Sequence, residues 1–170
     1  MNALATTEPL ATTQVVLRLL TAFVCGAPIG LNREFHRKPA GFRTFGLVSI
    51  GSAIVVILIE QVLGADADAL SRVLQGVLTG IGFLGAGVIL HRAPNRKRVA
   101  GLTTSAAIWL TAGLGMAAGA GQYVLAFLGL AFAMALLLLG GPFERLLQRL
   151  FGFGKHSADD DPTSSEDPPG

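Results

Sequence analysis

The chain has 170 residues, of which 51% are hydrophobic and only 14% charged, with a mean hydropathy of +0.58. A soluble domain carries nearer a quarter charged residues, because its surface faces water, so this composition excludes a water-soluble globule. The net charge of +2 conceals two opposed regions: residues 152–170 set Lys155 against Asp159, Asp160, Asp161, Glu166 and Asp167, which leaves the body with twelve Lys/Arg against six acids. That excess sits in short loops between apolar runs, where it reads as membrane topology and not as nucleic-acid binding.

Residues 1–14 form a tail with no Lys or Arg, so the basic start of a cleaved signal peptide is missing. Five apolar segments follow, at about 15–31, 44–63, 72–90, 102–118 and 123–139. Each approaches the roughly 20 helical residues that cross a hydrocarbon core of about 30 Å. Between Thr44 and Leu63 the only ionisable residue is Glu60, and no Asp or Glu occurs between Asp68 and Glu144. Backbone groups in lipid must be satisfied internally, and nothing alternates like barrel strands. The predicted fold is therefore all-α, a polytopic bundle of five spans over residues 15–140.

Orientation follows from the loops. Arg33, Arg37, Lys38 and Arg43 follow the first span; Arg92, Arg96, Lys97 and Arg98 the third; Arg145, Arg149 and Lys155 the fifth. Eleven of thirteen basic residues thus fall on one side, which predicts a cytoplasmic C-terminus and an extracytoplasmic N-terminus. Beyond the last span, Phe143, Leu146, Leu147, Leu150 and Phe151 share a helical face. Residues 141–151 accordingly read as a short amphipathic helix or as an extension of the last span. Residues 152–170 read as a disordered acidic tail.

Chemistry-bearing residues are few. The single cysteine, Cys25, allows no intrachain disulfide and reads as a small buried side chain. Gly80, Gly82 and Gly85 match the dinucleotide fingerprint, but they lie mid-span, with no strand before them and no acid at the required distance. Close helix packing is the better account. Gly76, Gly80 and Gly87 fall on one face of the third helix, and Gly82, Gly85 and Ala86 on a roughly opposite one. That pattern predicts a third helix at the centre of the bundle, with Phe83 among its packing residues. Gly115/Gly119 and Gly113/Ala117 form further small-residue pairs on the fourth helix, where Trp109 is mid-span and is expected to pack internally.

Arg18, Glu60, Asp66, Asp68 and Arg72 all fall near one membrane surface, as an ion-pair cluster or as groups reaching water independently. On the other surface, Arg33 and Glu34 follow the first span, Gly41, Arg43 and Thr44 lead into the second, and Gly101, Thr103, Thr104 and Ser105 open the fourth. Arg43 and Thr103–Ser105 form a shared polar lining or docking patch in one reading, and topogenic charge with hydroxyl caps in the other. His36, His91 and His156 have no Cys or carboxylate at metal-ligand spacing, and no catalytic set can be drawn. The expectation is a protein without catalytic residues, cofactor or metal.

Several stretches resemble the MgtC/SapB family of bacterial inner-membrane proteins: Gly30-Leu-Asn-Arg-Glu34, Lys38-Pro-Ala-Gly-Phe-Arg-Thr44, the run from Arg72 to Gly87 that ends Gly-Ile-Gly-Phe-Leu-Gly-Ala-Gly, and Val99-Ala-Gly-Leu-Thr-Thr104 followed by Trp109. The resemblance implies a multi-pass inner-membrane protein without catalysis, linked to adaptation to low magnesium and, in the MgtC branch, to virulence. It further implies action on other membrane machines, such as the F-type ATP synthase or a transporter, from within the lipid bilayer. A homo-oligomer and a Mg²⁺-related transport role are the other readings. The resemblance also marks departures: Asn32, Ala69 and Ala100 stand where relatives carry Glu, Asp and Arg, and the acidic tail replaces the MgtC branch's folded C-terminal domain.

Overall fold

A computed structural model describes residues 10–64, 67–90 and 101–151. Asp66, the basic loop at 91–98 and the acidic tail lie outside the described residues. Five helices follow in order: α1 (Thr12–Phe35), α2 (Phe42–Leu63), α3 (Ala67–Leu90), α4 (Leu102–Gly119) and α5 (Tyr123–Phe151). Each is long and apolar enough to cross a membrane, and no strand occurs among the described residues. The all-helical, five-span architecture is the one that the hydropathy pattern predicts.

Two compact units divide the chain, one up to Leu137 and one from Leu138 onward. In the first, α1, α2 and α4 pack pairwise against one another. Lipid offers no hydrophobic drive for helix association, so the packing relies on close backbone approach and on interhelical hydrogen bonds. Ser49 supplies both. Its Oγ donates to the Ala22 carbonyl of α1 at 2.6 Å, and its backbone faces Gly115 of α4 so closely that a Cβ there would sit 2.8 Å from both Ser49 Cα and C. One turn on, a Cβ at Gly119 would lie 2.7 Å from the Ala53 carbonyl oxygen. The interior is correspondingly built of small groups, with Ala22, Cys25, Ala53, Ala112 and Ala118 fully enclosed beside Phe45 and Ile29.

The third helix is not at the centre. Only 6% of an 18-residue apolar stretch of α3 is buried, against 56% for α4. Among the described residues it packs against α4 and α2. Side chains added at Gly76, Gly80, Gly82 or Gly87 would meet nothing within 4 Å, and Gly85 alone of the run touches a neighbour, Ser105. Phe83 is 81% exposed. Small residues on two faces show that a helix permits close approach; they do not show that its own chain supplies the partner.

The fourth helix starts on Gly101, whose φ of 94° is left-handed. A Cβ there would also meet the Val88 carbonyl oxygen at 3.0 Å, so only glycine fits both the dihedral and the space. Within the first unit, Ala126 and Ala133 of α5 join the core, and Gly129 faces the Leu114 side chain. The α5 helix runs on through Pro142 to Phe151, so residues 141–151 extend the last helix instead of standing as a separate one.

Candidate functional site

One buried stripe of α1 organises the polar chemistry. Arg18, Ala22, Cys25, Ile29 and Arg33 recur every three or four residues, the spacing of a single helix face. Ala22, Cys25 and Ile29 are fully buried. An arginine therefore stands at each end of the stripe, about 22 Å apart along the axis at 1.5 Å per residue.

At the first end, Arg18 pairs with Glu60 of α2, and its Nη1 also donates to the Gly119 carbonyl of α4 at 2.8 Å. One guanidinium thus ties three helix ends together. It does so from inside the packing, with 11% of its side chain exposed against 35% for Glu60. A cavity of about 250 Å³ opens beside the pair, lined by Val56, Ile59, Glu60, Gly64, Leu70, Ala120 and Gln122. Arg72 does not line it and is exposed on α3. Of the five residues of the expected charge cluster, Arg18 and Glu60 meet, Arg72 does not line that cavity, and Asp66 is outside the described residues.

At the second end, Arg33 is 6% exposed, and its Nη2 donates to Thr104 Oγ1 at 2.6 Å. Its Nε has no partner among the described residues. This replaces the expected meeting of Arg43 with Thr103–Ser105. The three hydroxyl residues point to three different places. Thr104 takes Arg33, Ser105 Oγ donates to the Gly85 carbonyl of α3 at 2.6 Å, and Thr103 lines a small apolar cavity with Ile29, Ala106 and Leu136. Thr104→Val should accordingly destabilise the protein by about 1 kcal/mol, the scale of an interhelical hydrogen bond in a membrane protein. Thr103→Val should leave it unchanged. Unfolding in SDS titrations reads both.

Beyond Arg33 the chain turns sharply. The Lys38 amide donates to the Arg33 carbonyl and the Arg37 amide to the Glu34 carbonyl, both at 2.9 Å. Arg37 itself is left-handed, with φ of 51°. This is a Schellman closure with arginine where glycine is usual, at a cost of about 1–2 kcal/mol. Glu34 Oε2 then accepts the Phe42 amide at 3.1 Å, which caps α2, and it occupies the space that a side chain on Gly41 would need. An open cavity of about 870 Å³ sits over this turn, lined by Leu31, Glu34, Arg37, Lys38, Gly41, Phe42, Arg43 and Thr44. Arg43 and Thr44 thus join Glu34 and Gly41, while Arg33 meets Thr104 and Gly101 lies against Val88 of α3.

Sequence reasoning missed Ser49 and the link from Arg18 to Gly119. The stripe spacing from Arg18 to Arg33 was the signal that would have found both arginines as interior groups. Trp109, expected to pack internally, is 51% exposed. Among the described residues no group of three His, Cys, Asp or Glu could hold a metal ion, and His36 Nδ1 lies 2.7 Å from its own helix's Asn32 carbonyl oxygen.

The MgtC family model matches residues 19–146. Protein SrpB of Synechococcus elongatus is 51% identical over 138 residues, covering 76% of this chain and 74% of that protein. The protein named putative magnesium transporter YhiD of Escherichia coli K12 is 40% identical over 152 residues, covering 85% of this chain and 67% of that protein. Protein MgtC of Salmonella typhimurium LT2 is 39% identical over 108 residues, 64% of this chain but only 44% of that protein. No solved structure matches the chain.

Proposed function

The chain belongs to the MgtC family and is a multi-pass membrane protein, and we propose that it acts there as a non-catalytic accessory subunit that docks onto another membrane complex through α3. The observation that carries this reading is the open glycine run. A Cβ added at Gly76, Gly80, Gly82 or Gly87 would meet nothing within 4 Å among the described residues, on a helix that packs against α4 and α2. Glycine in a lipid-facing helix forgoes both helix propensity and side-chain contact, whereas a helix of another protein can approach such a face closely. The bias of Lys and Arg toward one set of loops supports a cytoplasmic C-terminal side, and with it the reading of an inner-membrane protein.

Because the exposed glycines have room for a side chain, Gly80→Leu and Gly87→Leu should leave thermal unfolding in detergent unchanged. The same substitutions should abolish crosslinked co-purification of the partner complex from native membranes. The F-type ATP synthase, which the family resemblance implies, is the first candidate to probe. Retained co-purification in both variants would end this reading.

A second reading, transport, is favoured by the name of the relative YhiD and by the cavity beside Glu60. It ranks lower because Glu60 already pairs with Arg18. Reconstituted protein should show no gradient-driven Mg²⁺ flux; flux that disappears with Glu60→Gln would establish this reading in place of the first.

A further inference from the structure

We propose that the turn between α1 and α2 is a phosphate site for the headgroup of an anionic phospholipid. The cavity over that turn is lined by three cations, Arg37, Lys38 and Arg43, against a single carboxylate, Glu34. It also receives Gly41, the N-cap of α2, and the first residues of that helix, Phe42, Arg43 and Thr44, so the positive end of a 22-residue helix faces the same space. Cation cluster and helix start are independent sources of positive potential, and they converge on one concavity.

The source of the phosphate follows from the length of the turn. Only His36 to Gly41 separate two membrane-spanning helices, so the turn is held at the level of the headgroups. Basic groups there attract anionic lipid. Leu31 and Phe42 line the cavity beside the charges, and Phe35, at the end of α1, is largely exposed. Apolar surface therefore adjoins the charged one, as a phosphate attached to an acyl chain requires and a free phosphate does not.

Glu34 gives the proposal a sign that a generic basic patch lacks. Its carboxylate already accepts the Phe42 amide and so competes, as an internal anion, for the start of α2. Removing its charge strengthens phosphate binding, and removing any of the three cations weakens it.

The test is native mass spectrometry of the full chain released from detergent, with phosphatidylglycerol, phosphatidylcholine or inorganic phosphate added. The wild type is expected to retain phosphatidylglycerol over phosphatidylcholine. Arg43→Gln should lower that preference about fivefold, the scale of one basic residue at a lipid surface. The triple change of Arg37, Lys38 and Arg43 to Gln should abolish it, and Glu34→Gln should raise it. All four side chains are exposed, so thermal unfolding should stay within a few degrees of wild type. Equal retention of the two lipids, a preference that survives the triple change, a fall with Glu34→Gln, or displacement of the lipid by inorganic phosphate would each overturn the proposal. None of these outcomes depends on the docking role of α3.

Discussion

Gly115→Ala is expected to cost about 3 kcal/mol or more, at the upper end of overpacking penalties, and to remove most of the folded protein from the membrane. The added methyl group would collide with the Ser49 carbonyl oxygen and lie 2.8 Å from Ser49 Cα. These are backbone atoms in the middle of α2, so they cannot rotate away as a side-chain tip would. Relief would require α2 and α4 to separate, and Ser49 cannot move far while its hydroxyl is bonded to the Ala22 carbonyl of α1. Gly113, two residues earlier on α4, has nothing within 4 Å and serves as the control. Gly113→Ala should match or slightly exceed wild-type stability, since alanine is the better helix former by about 1 kcal/mol. The yield of monodisperse protein and the midpoint of SDS unfolding separate the two variants. Equal behaviour would mean that α2 and α4 do not cross at Ser49.

Arg18→Met should destabilise by about 3 kcal/mol, the lower end of the cost of breaking a buried ion pair from one side. The lower end applies because Glu60 is about a third exposed and retains some water. The substitution strands the Glu60 carboxylate and leaves the Gly119 carbonyl without the donor it has at 2.8 Å. Glu60→Gln should cost less, because a neutral amide still accepts from Arg18 and the Arg18 guanidinium keeps the Gly119 carbonyl as a partner. The double change of Arg18 and Glu60 to Met should recover part of the loss, as expected when the larger penalty comes from an uncompensated charge. An additive double mutant, measured by the same SDS unfolding, would show that the two side chains do not interact.

The number of helices was legible because each apolar run is long and nearly uncharged, and lipid leaves helices as the plausible spanning structure for such runs. Which helices form the centre was not. The eye goes to the glycine run of α3, whereas the interior of α1, α2 and α4 is made by Ala22, Cys25, Ser49, Ala53 and Ala118, small residues scattered at helical spacing. Glycine advertises permission for close contact more loudly than alanine or serine, yet permission is not occupancy. The candidate site was legible in outline: Glu34, Gly41, Arg43 and Thr44 do line one cavity. The pairing of Thr104 with Arg33 was hidden because the sequence places Arg33, Arg37 and Arg43 near the same membrane surface. Only the three- and four-residue spacing from Arg18 onward shows that Arg33 points inward.

The tight crossing at Ser49 also dictates an order of assembly. The chain makes α1 and α2 first, and they can join at once through the Ser49 hydroxyl. The other side of α2 stays bare until α3 has been threaded and α4 has arrived with Gly115. For that interval during synthesis, a half-built bundle presents an unprotected strip of backbone to the bilayer, and the insertion machinery must shelter it or release it unfinished.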